Sequence, residues 1–153
     1  MKRRTFLKGT VASGLLGVAA SAGLLAPRMV LAAWPESAFG AKSIDDALDA
    51  LLGATSHSES SDINIKAPDI AENGAVVPIT VSTGMAAESI SVLIEKNPSP
   101  LACTYALGGS TLGFVSTRVK MGKTSDLIAV IKSGGKLYSA KKTVKVTIGG
   151  CGG

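Results

Sequence analysis

The stretch Ser125 to Gly153, "SDLIAVIKSGGKLYSAKKTVKVTIGGCGG", decides how the rest of the chain is read. "SDLIAVIKS" is an apolar run of strand length that reads as buried. Ser133 to Gly135 supply a turn. "KLYSAKKTVKVTIG" then ends in alternation, with Val144, Val146 and Ile148 on one face. After Ile148 the chain closes on Gly149, Gly150, Cys151, Gly152 and Gly153. Glycine loses more conformational entropy on ordering than any other residue. Four glycines around one thiol therefore read as a segment that does not pack: a thin, flexible arm carrying an exposed sulfur.

The beta pattern extends back to Ile63. "DINIKAP" alternates, "AVVPITVST" is rich in β-branched residues, and "ESISVLIEK" puts Ile90, Val92 and Ile94 on one face. "PLACTYAL" puts Leu101, Cys103, Tyr105 and Leu107 on one face, and "FVSTRVKM" alternates. Turn-forming segments separate these runs: 68–74, 82–86, 97–100, 108–113 and 122–124. About seven short strands at this spacing predict an all-β, immunoglobulin-like sandwich. The predicted domain covers residues 34–148, with the arm at 149–153.

One helix precedes the strands, at about 43–53. Ser43 is a good N-cap, Asp45 and Asp46 lie in the first turn, and Gly53 is a natural stop. Ile44, Leu48, Leu51 and Leu52 recur at helical spacing, so one apolar stripe packs against the rest of the domain. Trp34 to Ala41 reads as an irregular lead-in, and Thr55 to Asp62 as a polar loop. That loop carries His57, the single histidine of the chain. Without a second histidine it forms no metal site of its own, and it reads as solvated.

The first 33 residues have the three-part layout of a secretory signal. A basic head (Lys2, Arg3, Arg4, Lys8) precedes an apolar, small-residue stretch, and Val30 to Ala33 offer a cleavage point. Arg3 and Arg4, followed by Thr5, Phe6, Leu7 and Lys8, resemble a twin-arginine export signal, with Lys2 in place of the usual Ser or Thr. The alternative is a membrane anchor, but the apolar stretch is shorter than the ~20 residues a spanning helix needs. Five of the 16 basic residues precede Trp34 and all 11 acids follow it, so the chain beyond the signal is neutral. The formal charge of +5 is thus a property of the signal and gives no argument for nucleic-acid binding. Within the neutral part, eight of the eleven basic residues lie after Leu101, beside a single acid, Asp126. This is either ordinary solvated strand surface or a positive surface near the tail that favours anions.

An exported chain with two cysteines invites a disulfide. Here Cys103 reads as a small residue on an apolar strand face, and Cys151 lies too soon after the last strand residue to range far. Nothing beside Cys151 activates its sulfur: no acid, base or metal ligand flanks it, and the terminal carboxylate disfavours a thiolate. A thiol near pKa ~8.5 is a few per cent thiolate at neutral pH, enough to react when another protein supplies activation. The pattern fits a carrier better than a self-contained enzyme.

The combination of "GGCGG" at the end, "APDIAENGAVVPITV" (Ala67 to Val81), "EKNPSP" (Glu95 to Pro100), the stretch from Thr117 to Gly153 and the twin-arginine start resembles the SoxY family. This family provides the sulfur-carrier subunits of bacterial thiosulfate-oxidising (Sox) systems. The resemblance implies a periplasmic protein, exported by the twin-arginine route, that holds thiosulfate-derived sulfur covalently on Cys151. Gly149, Gly150, Gly152 and Gly153 would form the swinging arm. It implies a heterodimer with SoxZ, oxidative loading by the haem cytochrome SoxAX, and release of sulfate by the hydrolase SoxB. In some systems the sulfane dehydrogenase SoxCD acts as well. No resident cofactor or metal is implied, and no stable membrane insertion after signal cleavage. Cys103 departs from the family pattern.

Three other readings compete. The chain could be a non-catalytic envelope module with a disulfide-forming cysteine. It could deliver Cu(I) through Cys151 with Met85 or Met121, since soft ligands suit that ion, although no Met or Cys cluster is present. Or it could be a thiol enzyme, for which it lacks a convincing base. A partner surface is sought on the strands Val76 to Val81 and Ile90 to Ile94, both apolar-rich, unless these fill the core.

Overall fold

The computed structural model describes residues 35–147; the predicted export signal, with Arg3 and Arg4, and the arm, with Gly149, Gly150, Cys151, Gly152 and Gly153, lie outside them. Among the described residues two helices come first, α1 (Glu36–Gly40) and α2 (Ile44–Leu52). Nine strands follow: β1 (Ser58–Glu59), β2 (Ile63–Lys66), β3 (Ile70–Ala71), β4 (Val77–Thr83), β5 (Ser89–Ile94), β6 (Leu101–Ala106), β7 (Phe114–Val119), β8 (Ser125–Ser133) and β9 (Lys136–Val146).

The strands form two sheets. The larger has the order β1-β9-β8-β5-β6, with β3 also paired to β9; the smaller is β2-β4-β7. The sequence pattern explains the layering. β4 alternates buried and more exposed residues, so one face meets the core and the other meets water. β5 is buried from Ile90 to Ile94 without alternation, which requires cover on both faces. One cover is the smaller sheet. Ile90, Val92 and Ile94 pack with Val77, Ile79, Val81, Val115, Leu127, Ala129 and Ile131 between the sheets. The other cover is the helical pair: Ala38, Ala47 and Leu48 pack with Leu93, Leu101, Val130 and Leu137 on the far side of the larger sheet. The helix is therefore more than an addition to a sandwich; it closes the second face of the sheet's centre.

Several local expectations hold. Ser43 caps α2, its Oγ accepting from the Asp46 amide at 3.1 Å. Gly53 ends the helix in the left-handed region, at φ 70°. β8 and β9 are joined by Gly134 and Gly135 alone, with φ of 56° and 73°, the two positive values a tight two-residue hairpin demands.

Others are corrected. The expected irregular lead-in contains α1, because Ala38 and the rest of the helical pair have an apolar sheet face to cover. Within the expected loop 55–62, Ser58 and Glu59 pair in parallel with Tyr138 and Ser139 of β9. Within the expected turn 68–74, Ile70 and Ala71 pair in parallel with Lys145 and Val146. Two residues are too short for a period to show, so nine strands replace about seven. The single-face reading of "PLACTYAL" holds for Cys103, Tyr105 and Leu107, which pack against the inter-sheet core, and fails at Leu101. Val92 pairs with Cys103 while Leu93 pairs with Leu101, so a bulge takes up Ala102. Leu101 turns to the helices and Cys103 to the inter-sheet core. Finally, the apolar residues proposed as a partner surface are mostly core: Val77, Ile79, Val81, Ile90, Val92 and Ile94 are buried, while Val76 and Pro78 are exposed.

Candidate functional site: the root of the C-terminal arm

β9 ends at Val146, and the segments that meet there build the root from which the arm leaves. On the outer edge lies the ribbon Asp69–Gly74. The amide of Lys145 donates to the Asp69 carbonyl at 2.9 Å, and the amide of Thr147 donates to the Ala71 carbonyl at 3.0 Å. On the inner edge, the backbone pairing of β8 with β9 stops at Ser125 and Val144. The Thr124 hydroxyl takes over, accepting from the Val146 amide at 3.0 Å and lying 3.4 Å from its carbonyl. The last residues of β9 are thus held from both sides.

Gly74 is required by closeness. A Cβ built on it would lie 2.7 Å from Val146 Cγ1 and closer still to the Met121 carbonyl. The Met121 amide donates to the Gly74 carbonyl at 2.7 Å, tying the ribbon to the β7–β8 connection. That connection is fixed in turn by Asn97, which donates from Nδ2 to the Lys120 carbonyl at 2.7 Å and accepts at Oδ1 from the Gly122 amide at 3.1 Å. The segments "IAENGA", "EKNPSP" and "MGKTSD", scattered in sequence, meet here. Sequence reasoning named these stretches without assigning a role to Gly74, Asn97 or Thr124. The signal available was weak: a glycine and an asparagine in turn-like segments.

Charge at the root is mixed. Lys120, Lys123 and Lys145 are exposed on the segments that meet there, with Glu72 exposed on the ribbon. Asp69 is paired with Lys142 at 3.1 Å. Lys132 and Lys136 stand at the opposite, hairpin end of β9. The basic second half of the chain therefore does not gather as a whole at the root.

The other candidate residues fall elsewhere. His57 is exposed but not merely solvated: its Nδ1 is 2.8 Å from the Oγ of buried Ser139. That contact pins β1 to β9 midway along the strand, so His57 stands apart from the root. Met121 is 1% exposed and packs in the inter-sheet core. Met85 is half-buried against the inter-sheet core. Among the described residues no cluster of three His, Cys, Asp or Glu side chains could hold a metal ion. Two open grooves, of about 340 and 410 Å³, are lined by Glu59 to Ser61 with Ser139 to Lys141, and by Lys66 to Pro68 with Pro78 to Thr80 and Ser116. Neither includes a residue of the root.

Cys103 is a free thiol, half-buried on β6. Burial pushes its pKa up, and a hydrogen bond with the Tyr105 side chain pulls partly back. The register puts it out of reach of Cys151. Cys103 is level with Val92, Ala129 and Ala140, three strands away from β9. That is ~14 Å sideways and, from Ala140 to Thr147, ~23 Å along the strand. The four residues from Thr147 to Cys151 span at most ~14 Å. An intrachain disulfide between the two cysteines is excluded by this arithmetic.

The fold and this root define a class: a two-sheet sandwich, backed by helices, with its last strand anchored at the edge and a glycine-flanked thiol beyond the anchor. The family described as "Sulfur oxidation protein SoxY" matches residues 48–151, and the chain belongs to that family. Among solved structures, the sulfur carrier protein SoxY from Chlorobium limicola f thiosulfatophilum is 45% identical, with a TM-score of 0.63 over 74% of this chain and 99% of that one. A superoxide reductase (neelaredoxin) from Ignicoccus hospitalis matches at 20% identity and a TM-score of 0.50, over 60% and 81% of the two chains. That likeness is one of fold alone. No curated protein matches.

Proposed function

We propose that this protein is a periplasmic sulfur carrier that holds thiosulfate-derived sulfur on Cys151 and presents it to partner Sox enzymes. The observation that carries the reading is the root: β9 is anchored on both edges up to Thr147, and the cysteine follows four residues later among glycines. Membership of the SoxY family supports the sulfur-carrier role.

The chemistry follows from what a plain thiol can do. Loading joins the Cys151 sulfur to the terminal sulfur of thiosulfate, forming a cysteine S-thiosulfonate. Two electrons leave in that step, and the haem cytochrome SoxAX accepts them. Hydrolysis then breaks the sulfur–sulfonate bond: water supplies the oxygen, sulfate leaves, and a persulfide stays on Cys151. SoxB is the hydrolase; SoxCD oxidises the remaining sulfur in systems that have it. The carrier supplies attachment and presentation and no catalysis of its own, which fits the absence of acid, base or metal ligand beside Cys151 in the sequence. SoxZ is the expected heterodimer partner. Export through the twin-arginine signal at Arg3 and Arg4 would deliver the folded chain to the periplasm.

The test is the intact mass, and then the mass of the C-terminal peptide, of protein isolated from thiosulfate-grown cells. Adducts on Cys151 that a reductant removes are expected. A bare Cys151 under those conditions would favour the envelope-module reading instead.

A further inference from the structure

We propose that Gly74 and Thr124 are positioning residues that set the reach of the arm. The carrier role of Cys151 gives this its meaning, but the geometry stands without it. Every contact of Thr147 and Val146 described above fixes the point from which the arm pivots. The ribbon holds Thr147 from outside through the Ala71 carbonyl, and Thr124 holds Val146 from inside. Gly74 lets the ribbon lie against Val146 and Met121, where no larger residue fits.

Anchoring at Thr147 confines the Cys151 sulfur to a sphere of ~14 Å around that residue. If the ribbon and Thr124 let go, the last backbone pairing with β8 is at Val144. The pivot then retreats by three residues, ~10 Å, and the radius grows to ~23 Å. The sulfur would sweep back along the sandwich instead of projecting from its end. An enzyme that takes the arm into a narrow channel needs the first arrangement: a short tether whose origin is fixed. Its channel can be no deeper than the tether, and its mouth must rest on the loops around the root. The ribbon and Thr124 thereby fix where the tether begins and how far the Cys151 sulfur can reach.

The experiment measures the tether directly and does not depend on sulfur chemistry. Nitroxide labels are placed on Cys151 and on Lys136→Cys, at the far end of β9, in the full exported chain carrying Cys103→Ser. Pulsed electron–electron distance distributions are recorded for this protein and with Gly74→Ala and Thr124→Val added together, since either hold alone keeps the pivot near Thr147. If that pair fails to fold, Thr147→Pro with Thr124→Val serves instead: it removes the outer amide donor and the inner hydroxyl without touching the packed ribbon. The reference distribution is expected to lack distances below ~20 Å, because the anchor lies ~36 Å from Lys136. In a folded variant the short edge should move inward by ~10 Å or more, with at least tenfold faster amide exchange at Thr147 where that residue is kept. Short distances already present in the reference, or unchanged distributions in folded variants, overturn the proposal. Failure of Cys151 to carry sulfur in cells would leave these distances unchanged and would count against the carrier reading alone.

Discussion

Asn97 and Gly122 are joined by a hydrogen bond from the Gly122 amide to Asn97 Oδ1 at 3.1 Å, while the other end of the same carboxamide donates to the Lys120 carbonyl at 2.7 Å. One side chain from the β5–β6 turn thus fixes the β7–β8 connection to which the Asp69–Gly74 ribbon is tied. Removing it takes two hydrogen bonds from an exposed connection, at ~0.5–1.5 kcal/mol each. Asn97→Ala should therefore lower the melting temperature by several degrees. Asn97→Asp should not restore it, because a carboxylate cannot donate to the Lys120 carbonyl. Thermal unfolding of the two variants checks this.

The helical layer is the second dependence. Leu48 is fully buried against Leu93, Leu101, Val130 and Leu137. Leu48→Ala should cost ~2–5 kcal/mol, the range for a leucine lost from a packed core. Urea unfolding should show the midpoint fall, with little change in slope if the rest of the fold persists.

Oxidation provides a third. Because Cys103 and Cys151 cannot meet within one chain, mild oxidation should yield Cys151-linked dimers and no internal crosslink. Non-reducing gels and peptide mapping distinguish the two, and Cys103→Ser should leave dimer formation unchanged. A Cys103–Cys151 peptide from a monomeric band would contradict the register.

The Cys103 thiol gives a pH prediction. Burial raises its pKa in the folded protein, so the neutral form is favoured there. The unfolded chain releases this proton first, near the ordinary thiol value of ~8.5. Its contribution to stability is then complete below that pH and is lost as pH rises toward the folded-state pKa. Stability should fall more steeply above pH ~8.5 in the parent protein than in Cys103→Ser. Alkylation should also be slower at Cys103 than at Cys151, with a rate that keeps climbing at pH values where an ordinary thiol has levelled off.

Arm length supplies the last. Deleting Gly149 shortens the tether by ~3.5 Å without touching a described contact. Delivery to partner enzymes should drop several-fold while the melting temperature stays within a degree. Reconstituted thiosulfate oxidation, beside thermal unfolding, measures both.

Much of this was legible in the chain. Local signals suffice where the deciding physics is local. Ser43 and Gly53 bounded α2 because a side-chain oxygen and a left-handed residue satisfy a helix end wherever it lies. Gly134 and Gly135 marked the β8–β9 turn, and the alternation of β4 and β9 gave their pleats. Family-like segments pointed to the SoxY family, whose model matches residues 48–151; the glycines about Cys151 lie outside the described residues. What only the tertiary structure decided involves contacts between distant residues. β1 and β3 are strands because β9 offers an open edge, a property their two residues cannot express. The bulge at Ala102 turns Leu101 to the helices because Leu93, from another strand, is its partner. Gly74, Asn97 and Thr124 became a site when folding brought three separate turns to the end of β9. Periodicity and capping are properties of neighbours in sequence; an anchor point is a property of neighbours in space.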